Sequence, residues 1–522
     1  MTGTWALTRL ALRLDRVRLP VWVLVIGITP ALTAANYRKL YPTPDALQGI
    51  SGVIANPSLV ALNGPLFGVS LGGLTAWKIG VTELVLAGIM SILLVIRHTR
   101  TEEETGRMEL LGATVVGRYA PLTAALLVVG LANLGIAVLV VLGLIGTGLP
   151  AAGALAMGLS VAVGGVVFAA VAAVTAQLTE SARAANALAV GVLGAAYLLR
   201  AAGDAGAEWM SWLSPIGWAM QMRPFAGERW WLLAPAVGLV AALAGAAYTL
   251  VRRRDLGAGL LPQRPGPAVG ALGNPLALAW RLHRGLLVGW VVGMAVSGAV
   301  LGGAAQGISH ATNLNQQITD LLARMGGSKG LVDAYLATTM GFTGLVAAAY
   351  TVQTTLRLRA EEAAGRLEPV LATRAGRIRW ALSHLVFALL GTAVLLAAAG
   401  AGAGLAYGIQ IHDVGGQVSR LVTASMVQLP AAWVLAGLGA ALFGLAPRFA
   451  SLTWAGLVAC VLLLELGALL GLNHLIVDAS PFAHVPKLPG TAFTATPLLW
   501  LTAITVALTA AGLAGFRRRD IG

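Results

Sequence analysis

Five residues of one short segment, Glu102, Glu103, Gly106, Arg107 and Glu109, return 259 positions later as Glu361, Glu362, Gly365, Arg366 and Glu368. The surrounding text is RTEEETGRMELLGATVVGR at 100–118 and RAEEAAGRLEPVLATRAGR at 359–377. Acids and arginines at these spacings make a recognition surface rather than a centre for covalent chemistry. On a helix, Glu103 and Arg107 fall at i and i+4 with the acid first, the favourable order, and Glu362 with Arg366 repeats it. Thr101 followed by Glu104 fits a capping box, and the glutamates suit a helix N-terminus. Met108 and Leu111, matched by Leu367 and Val370, add an apolar edge. The pattern predicts a short amphipathic helix over 101–113 and another over 360–372. The second copy lacks the box, having Ala360 and Ala363, and is expected to bend at Pro369. One such loop reads as a solvated connector; two with the same acid, glycine and arginine spacing point to a surface that fits a partner.

A second set of ionisable residues lies inside apolar runs. Glu83 and Glu465 each interrupt one, and Arg200 ends another. A charge at membrane depth costs about 2.5–3.5 kcal/mol on insertion scales, so such residues mark a pathway or a pair. Two readings of Arg200 stay open: a partner for Glu465, or a side chain that snorkels to water while Glu465 pairs locally. The histidines His310, His412, His474 and His484 have no ligand spacing, so no metal site is expected. Cys460 is the single cysteine, which excludes a disulfide within the chain and a cysteine metal site.

The elements that carry these residues follow from composition. Hydrophobic residues make up 57% of the 522, charged residues only 11%, and mean hydropathy is +0.81. Soluble domains carry roughly 25% charged residues, so an ordinary globular protein is excluded. Runs of about 20 apolar residues match the length of a membrane-crossing helix, and the short alternating segments of a barrel are missing. The fold class is all-α: a polytopic membrane protein with twelve transmembrane helices. They are expected near 19–36, 76–96, 120–147, 155–178, 184–202, 231–251, 285–306, 341–356, 380–407, 421–445, 450–471 and 497–516. The first reads as an uncleaved helix, since no small-residue cleavage site follows it.

Net charge is +14, carried almost wholly by arginines between apolar runs, which argues against nucleic acid as the partner. With the N-terminus inside, 25 of the 35 basic residues fall on inner segments, so both termini are expected to be cytoplasmic. All four lysines, Lys39, Lys78, Lys329 and Lys487, run against that trend. Further duplications extend the repeat: Arg13-Leu14-Asp15-Arg16 with Arg281-Leu282-His283-Arg284, and Arg252 to Gly257 with Arg517 to Gly522. Six spans per half keep both halves in one orientation, which makes two parallel six-helix repeats. The expected divisions are a first half at 1–254, a Gly/Pro-rich linker at 255–275 and a second half at 276–522. Leu47, Ile50 and Ile54, and Ile318, Leu321, Leu322 and Met325, fall at near-helical spacing in equivalent outer loops and suggest interfacial or re-entrant helices. Trp209, Trp212, Trp218, Trp230 and Trp231 fit an aromatic belt.

With six spans per half, a basic amphipathic stretch before the first span and a charged helix between spans 2 and 3, the chain resembles ATP-binding-cassette exporter permeases of the ABC-2 type. The duplicated twelve-span form, with LSPIGWAMQMRPFAGERWW at 213–231, is similar to permeases of polyketide antibiotic exporters, the tetronasin exporters of actinobacteria among them. The resemblance implies that 101–113 and 360–372 are coupling helices seated on an ATPase, with Glu102, Glu103, Gly106, Arg107, Glu109, Glu361, Glu362, Gly365, Arg366 and Glu368 as coupling residues. It makes 5–18 and 276–284 connecting helices. It also implies that spans 2, 5, 8 and 11 line the cavity, so that Glu83, Arg200 and Glu465 lie on the substrate pathway, where Arg200 and Glu465 could face each other. No GxxxxGK[ST] loop is present, so the chain is expected to be no enzyme and to hold no cofactor. ATP and Mg would belong to two copies of a separate ATPase subunit. The implied function is export of hydrophobic or amphiphilic compounds across a bacterial cell membrane by alternating access. The alternative is a proton-coupled secondary transporter, with Glu83 and Glu465 as proton carriers; a membrane enzyme is a more distant one.

Overall fold

The computed structural model gives residues 2–41, 60, 62–112, 115–204, 208–255, 257–261, 273–311, 327–466 and 478–520; at 110–112, 306–311, 327–329, 331 and 464–466 it gives the backbone alone. The proposed outer-loop helices at 47–54 and 318–325 lie outside the described residues. Among the described residues there is no strand, only one isolated bridge between Thr179 and Leu261. Among the described residues, eleven helices are long and apolar enough to cross a membrane. At 450–471, where the sequence predicts another span, helix Leu452–Leu466 is present with a shorter apolar stretch, Leu452–Leu463. Its continuation lies outside the described residues. This is a multi-pass helical membrane protein.

The chain divides into two compact units, Met1–Pro265 and Gly266–Gly522. In the first, helix Thr4–Leu14 exposes Trp5, Leu10 and Leu14 and buries Thr8 and Ala11 on a different face, as an interfacial amphipathic helix must. A turn at 15–17 separates it from Arg18–Leu40. Helices Leu71–Ile96 and Ala151–Leu178 form the centre, packed against each other and enclosed by Ala120–Gly146, Ala182–Asp204 and Leu233–Arg253. Leu84, Ile92, Ile136 and Phe168 interdigitate there, all buried. Inside a bilayer, close packing and hydrogen bonds hold helices together more than the hydrophobic effect does. Asn133 supplies one such bond, its amide donating to Ser91 Oγ at 3.0 Å.

In the second unit, helix Pro275–Ala311 runs through 276–284 without the break seen after Leu14. It lies along Arg377–Ile411, and the reason is readable from Gly298 and Gly302. A Cβ at either would stand 2.1 or 2.3 Å from the carbonyl oxygens of Ala399 and Ala403, so a small-xxx-small face permits backbone contact. Helices Leu429–Leu445 and Thr496–Arg518 form a second close pair.

Candidate functional site

The first repeated loop is built by continuing the second span past the apolar run. Helix Leu71–Ile96 passes through a π-helical turn, Arg97–Thr101, into Glu102–Glu104, and this turn aims Arg100 and Glu103 into the unit. Glu103 Oε1 accepts from Arg254 Nη2 at 2.6 Å and Oε2 from Nη1 at 2.8 Å, the bidentate geometry in which arginine and carboxylate bind best. Arg100 also pairs with Glu103, and donates to the carbonyls of Thr179 and Ala258. Arg254 Nε donates to Gln177 Oε1 at 2.7 Å, and Arg118 Nη2 to the Arg254 carbonyl at 2.6 Å. The start of the linker is fastened here too, because Leu261 N–H donates to the Leu178 carbonyl at 2.8 Å. A cavity of about 410 Å³ opens beside this cluster, lined in part by Met108, Pro121, Leu122 and Val251.

Several sequence expectations change at this loop. Thr101 makes no capping bond; Glu104 instead accepts from the N–H of Ala182 at 2.7 Å, at the start of helix Ala182–Asp204. No single helix spans 101–113. Gly106 takes a φ of +72° and splits the segment into Glu102–Glu104 and Arg107–Gly112. The turn moves Arg107 off the i+4 partner, so it pairs with Glu102 at 3.2 Å rather than with Glu103. Arg107 and Glu109 are exposed, whereas Met108 is buried.

The second loop repeats the arrangement with different detail. Glu362 binds Arg519 at 2.7 Å and Arg359 at 3.1 Å, and Arg377 Nη1 donates to the Arg519 carbonyl at 2.6 Å. The Arg519 guanidinium also lies over Phe443 and Phe516, at 5.1 and 5.6 Å from the ring centres. Arg366 pairs with Glu361 at 2.7 Å, the same one-residue shift as in the first loop, and Arg357 joins Glu361 at 3.2 Å. Gly365 has a φ of +67° and divides Arg357–Ala363 from Leu367–Leu371. Both copies therefore bend at the repeated glycine. Pro369 does not interrupt the second, because it sits in the first turn of a helix, where an N–H has no intrahelical acceptor. Glu368 and Arg366 face solvent.

One functional-looking residue went unread in the sequence. Asp15, fully buried, forms an ion pair with Arg97 Nε at 3.2 Å and lies 2.6 Å from His98 Nε2, which ties the turn after the amphipathic helix to the loop. The signal was the alignment of Asp15 with His283. In the second unit His283 Nε2 lies 2.9 Å from His384 Nδ1 instead, and Arg357 donates to the Leu282 carbonyl at 3.2 Å.

The membrane residues are placed as follows. Glu83 is 1% exposed and its Oε2 has no hydrogen-bond partner. Arg200 is fully buried rather than snorkelling; it pairs with Asp204 at 3.3 Å, donates to the Leu62 carbonyl at 3.1 Å and lies over Tyr197. Its charge is thus compensated inside its own unit. Glu465 belongs to helix Leu452–Leu466, but its side chain lies outside the described residues. Of the four histidines His310, His412, His474 and His484, His484 lies 2.8 Å from the Asp478 carbonyl through Nε2, while His474 and the side chain of His310 lie outside the described residues. Among the tryptophans, Trp212 and Trp231 stack at 6.1 Å, and Trp209 is exposed, as belt residues are.

A helical membrane protein with charged loops repeated at one end of each unit fits the class of transport permeases. Residues 272–517 match the family described as multidrug efflux system permease Rv1217c, C-terminal domain. Across its whole length the chain is 46% identical to the multidrug efflux system permease protein Rv1217c of Mycobacterium tuberculosis, covering 95% of that protein. The chain belongs to this family of permeases.

Proposed function

We propose that the protein is the membrane subunit of an ATP-driven ABC-2-type exporter that moves hydrophobic or amphiphilic compounds out of a bacterial cell. The observation that carries this reading is the repeated loop: each copy bends at its glycine and presents one exposed Arg-x-Glu tip, Arg107 with Glu109 and Arg366 with Glu368. Glu103, Glu361 and Glu362 are buried in internal pairs, so they hold the tips in place rather than meeting a partner. Two tips on one chain fit two copies of a separate ATPase that binds ATP and Mg. On this reading the chain has twelve spans in two parallel repeats with both termini cytoplasmic. Closure of the ATPases rocks the halves between inward and outward access, without catalysis by this chain. The efflux function of the 46% identical relative supports export of drug-like compounds.

The test is purification of the tagged chain with its neighbouring ATPase, followed by ethidium export from vesicles given ATP or a proton gradient alone. Export that follows the gradient and ignores ATP overturns the reading. A proton-coupled transporter is the second reading, favoured by one observation: Glu83 is a buried acid whose Oε2 is unpartnered.

A further inference from the structure

The docking loop is covalently continuous with the second span, and leads within a few residues into the third. It has no such connection to the sixth. Among the described residues, the hydrogen bonds and ion pairs that join loop 97–112 to the Leu233–Arg253 helix and its cap are those of Glu103, with Arg100 reaching the same glutamate. In the second unit the corresponding link is Glu362 to Arg519.

The cation is in each unit the residue that ends the last span. Arg254 follows Leu233–Arg253 and Arg519 follows Thr496–Arg518, both with extended backbone at the cap. In each, the cap carbonyl is held at 2.6 Å by the arginine at the base of the next long helix, Arg118 near Ala120–Gly146 and Arg377 starting Arg377–Ile411. A glutamate, a cap arginine and a second arginine thus connect loop, last span and third span in the same order twice. The two loops differ at Thr101 and Ala360, at Glu104 and Ala363, and at Leu110 and Pro369. The linkage is among the parts they keep. A rigid link of charge-assisted hydrogen bonds with little exposure is suited to carrying displacement between elements.

We infer that Arg254 and Arg519 are positioning residues that pass movement of the docking loop to the last span of each unit. This rests on the ATP-driven reading and deepens it, because it names the route by which loop movement reaches a span with no covalent tie to the loop. A staple that merely held the fold would, when cut, lower the amount of protein, ATP hydrolysis and transport together. A transmission link, when cut, leaves hydrolysis running and uncouples it from transport.

The experiment uses the full chain with its co-purified ATPase in proteoliposomes, reading ethidium export and ATP hydrolysis together. Arg254→Glu and Arg519→Glu are expected to keep hydrolysis and lose about tenfold in export per ATP, the size of a typical coupling between sites. The double reversals, Glu103→Arg with Arg254→Glu and Glu362→Arg with Arg519→Glu, are expected to recover most of that ratio. Arg254→Gln and Arg519→Gln serve if the reversals fail to fold, with the same ratio as readout. Unchanged export per ATP in the single variants, or a failure of the double reversals to recover the ratio, overturns the inference. If the unaltered chain co-purifies with no ATPase, the ATP-driven reading itself falls and takes the inference with it.

Discussion

Glu103 and Arg254, 151 residues apart, meet through two parallel hydrogen bonds of 2.6 and 2.8 Å, and Glu362 with Arg519 restates the meeting at 2.7 Å. The two are not equally costly to break. Arg100 and Arg254 are almost fully shielded, so removing Glu103 leaves two buried cations with one partner fewer. Arg359 is 40% exposed and hydrates when Glu362 is removed. Glu103→Ala is therefore expected to lower stability by about 3–5 kcal/mol, as for broken buried pairs. Glu362→Ala is expected to cost less, about 1–2 kcal/mol, since only Arg519, itself 18% exposed, loses a largely shielded partner. Thermal or denaturant unfolding in detergent measures both, and equal losses would contradict the exposure argument.

The exposed tips give a different expectation. Reversing Arg107 and Glu109 together, to Glu and Arg, leaves the buried pairs intact, breaks only the exposed Arg107–Glu102 pair and should shift the melting temperature little. ATPase recovered on the tagged chain should fall about tenfold for either loop, the effect of a mismatched interfacial charge pair or more. Reversing Arg366 and Glu368 as well should abolish recovery. Full recovery with both tips reversed would place the ATPase contact elsewhere.

The bend at the glycines is open to direct test. Nothing lies within 4 Å of a Cβ built on Gly106 or Gly365, so substitution there meets backbone strain and no clash. Asparagine tolerates a positive φ, whereas a β-branched residue does not. Gly106→Asn should transport like the parent, while Gly106→Val pays about 1–2 kcal/mol locally and shifts the tip. Transport by both variants at parental rates would show that the bend has no role.

How much of this was legible beforehand follows from the kind of signal each feature leaves. Apolar runs announce membrane helices through length alone, so the spans were readable, as was the recurrence of Glu102 to Glu109. The pairing inside the loop was not. Helical spacing assigned Glu103 to Arg107, but Gly106 breaks the helix, and a glycine's left-handed turn leaves no periodicity to count. Glu103 finds Arg254 instead, a contact across 151 residues that spacing cannot encode. The duplication did contain the clue, since Arg252 to Gly257 and Arg517 to Gly522 recur along with the loop. Arg200 was hidden for a related reason: its acid, Asp204, is one helical turn away, but the Leu62 carbonyl that completes its site comes from another segment.

Glu83 separates the two transport readings. No cation pairs with it among the described residues, and its Oε2 is without a partner, so Glu83→Gln removes no ion pair and keeps the side chain's size. The variant should fold like the parent, since the swap conserves side-chain volume and removes no ion pair. If ATP drives export, ethidium transport in Glu83→Gln vesicles should remain ATP-dependent and independent of the proton gradient, with at most a change in which compounds are moved. A proton carrier behaves otherwise: the amide cannot release a proton, so gradient-driven export would vanish while the protein stays folded. Measuring export against external pH in parent and variant decides between them, because only a carrier acid makes the parent's rate follow the gradient and the variant's rate ignore it.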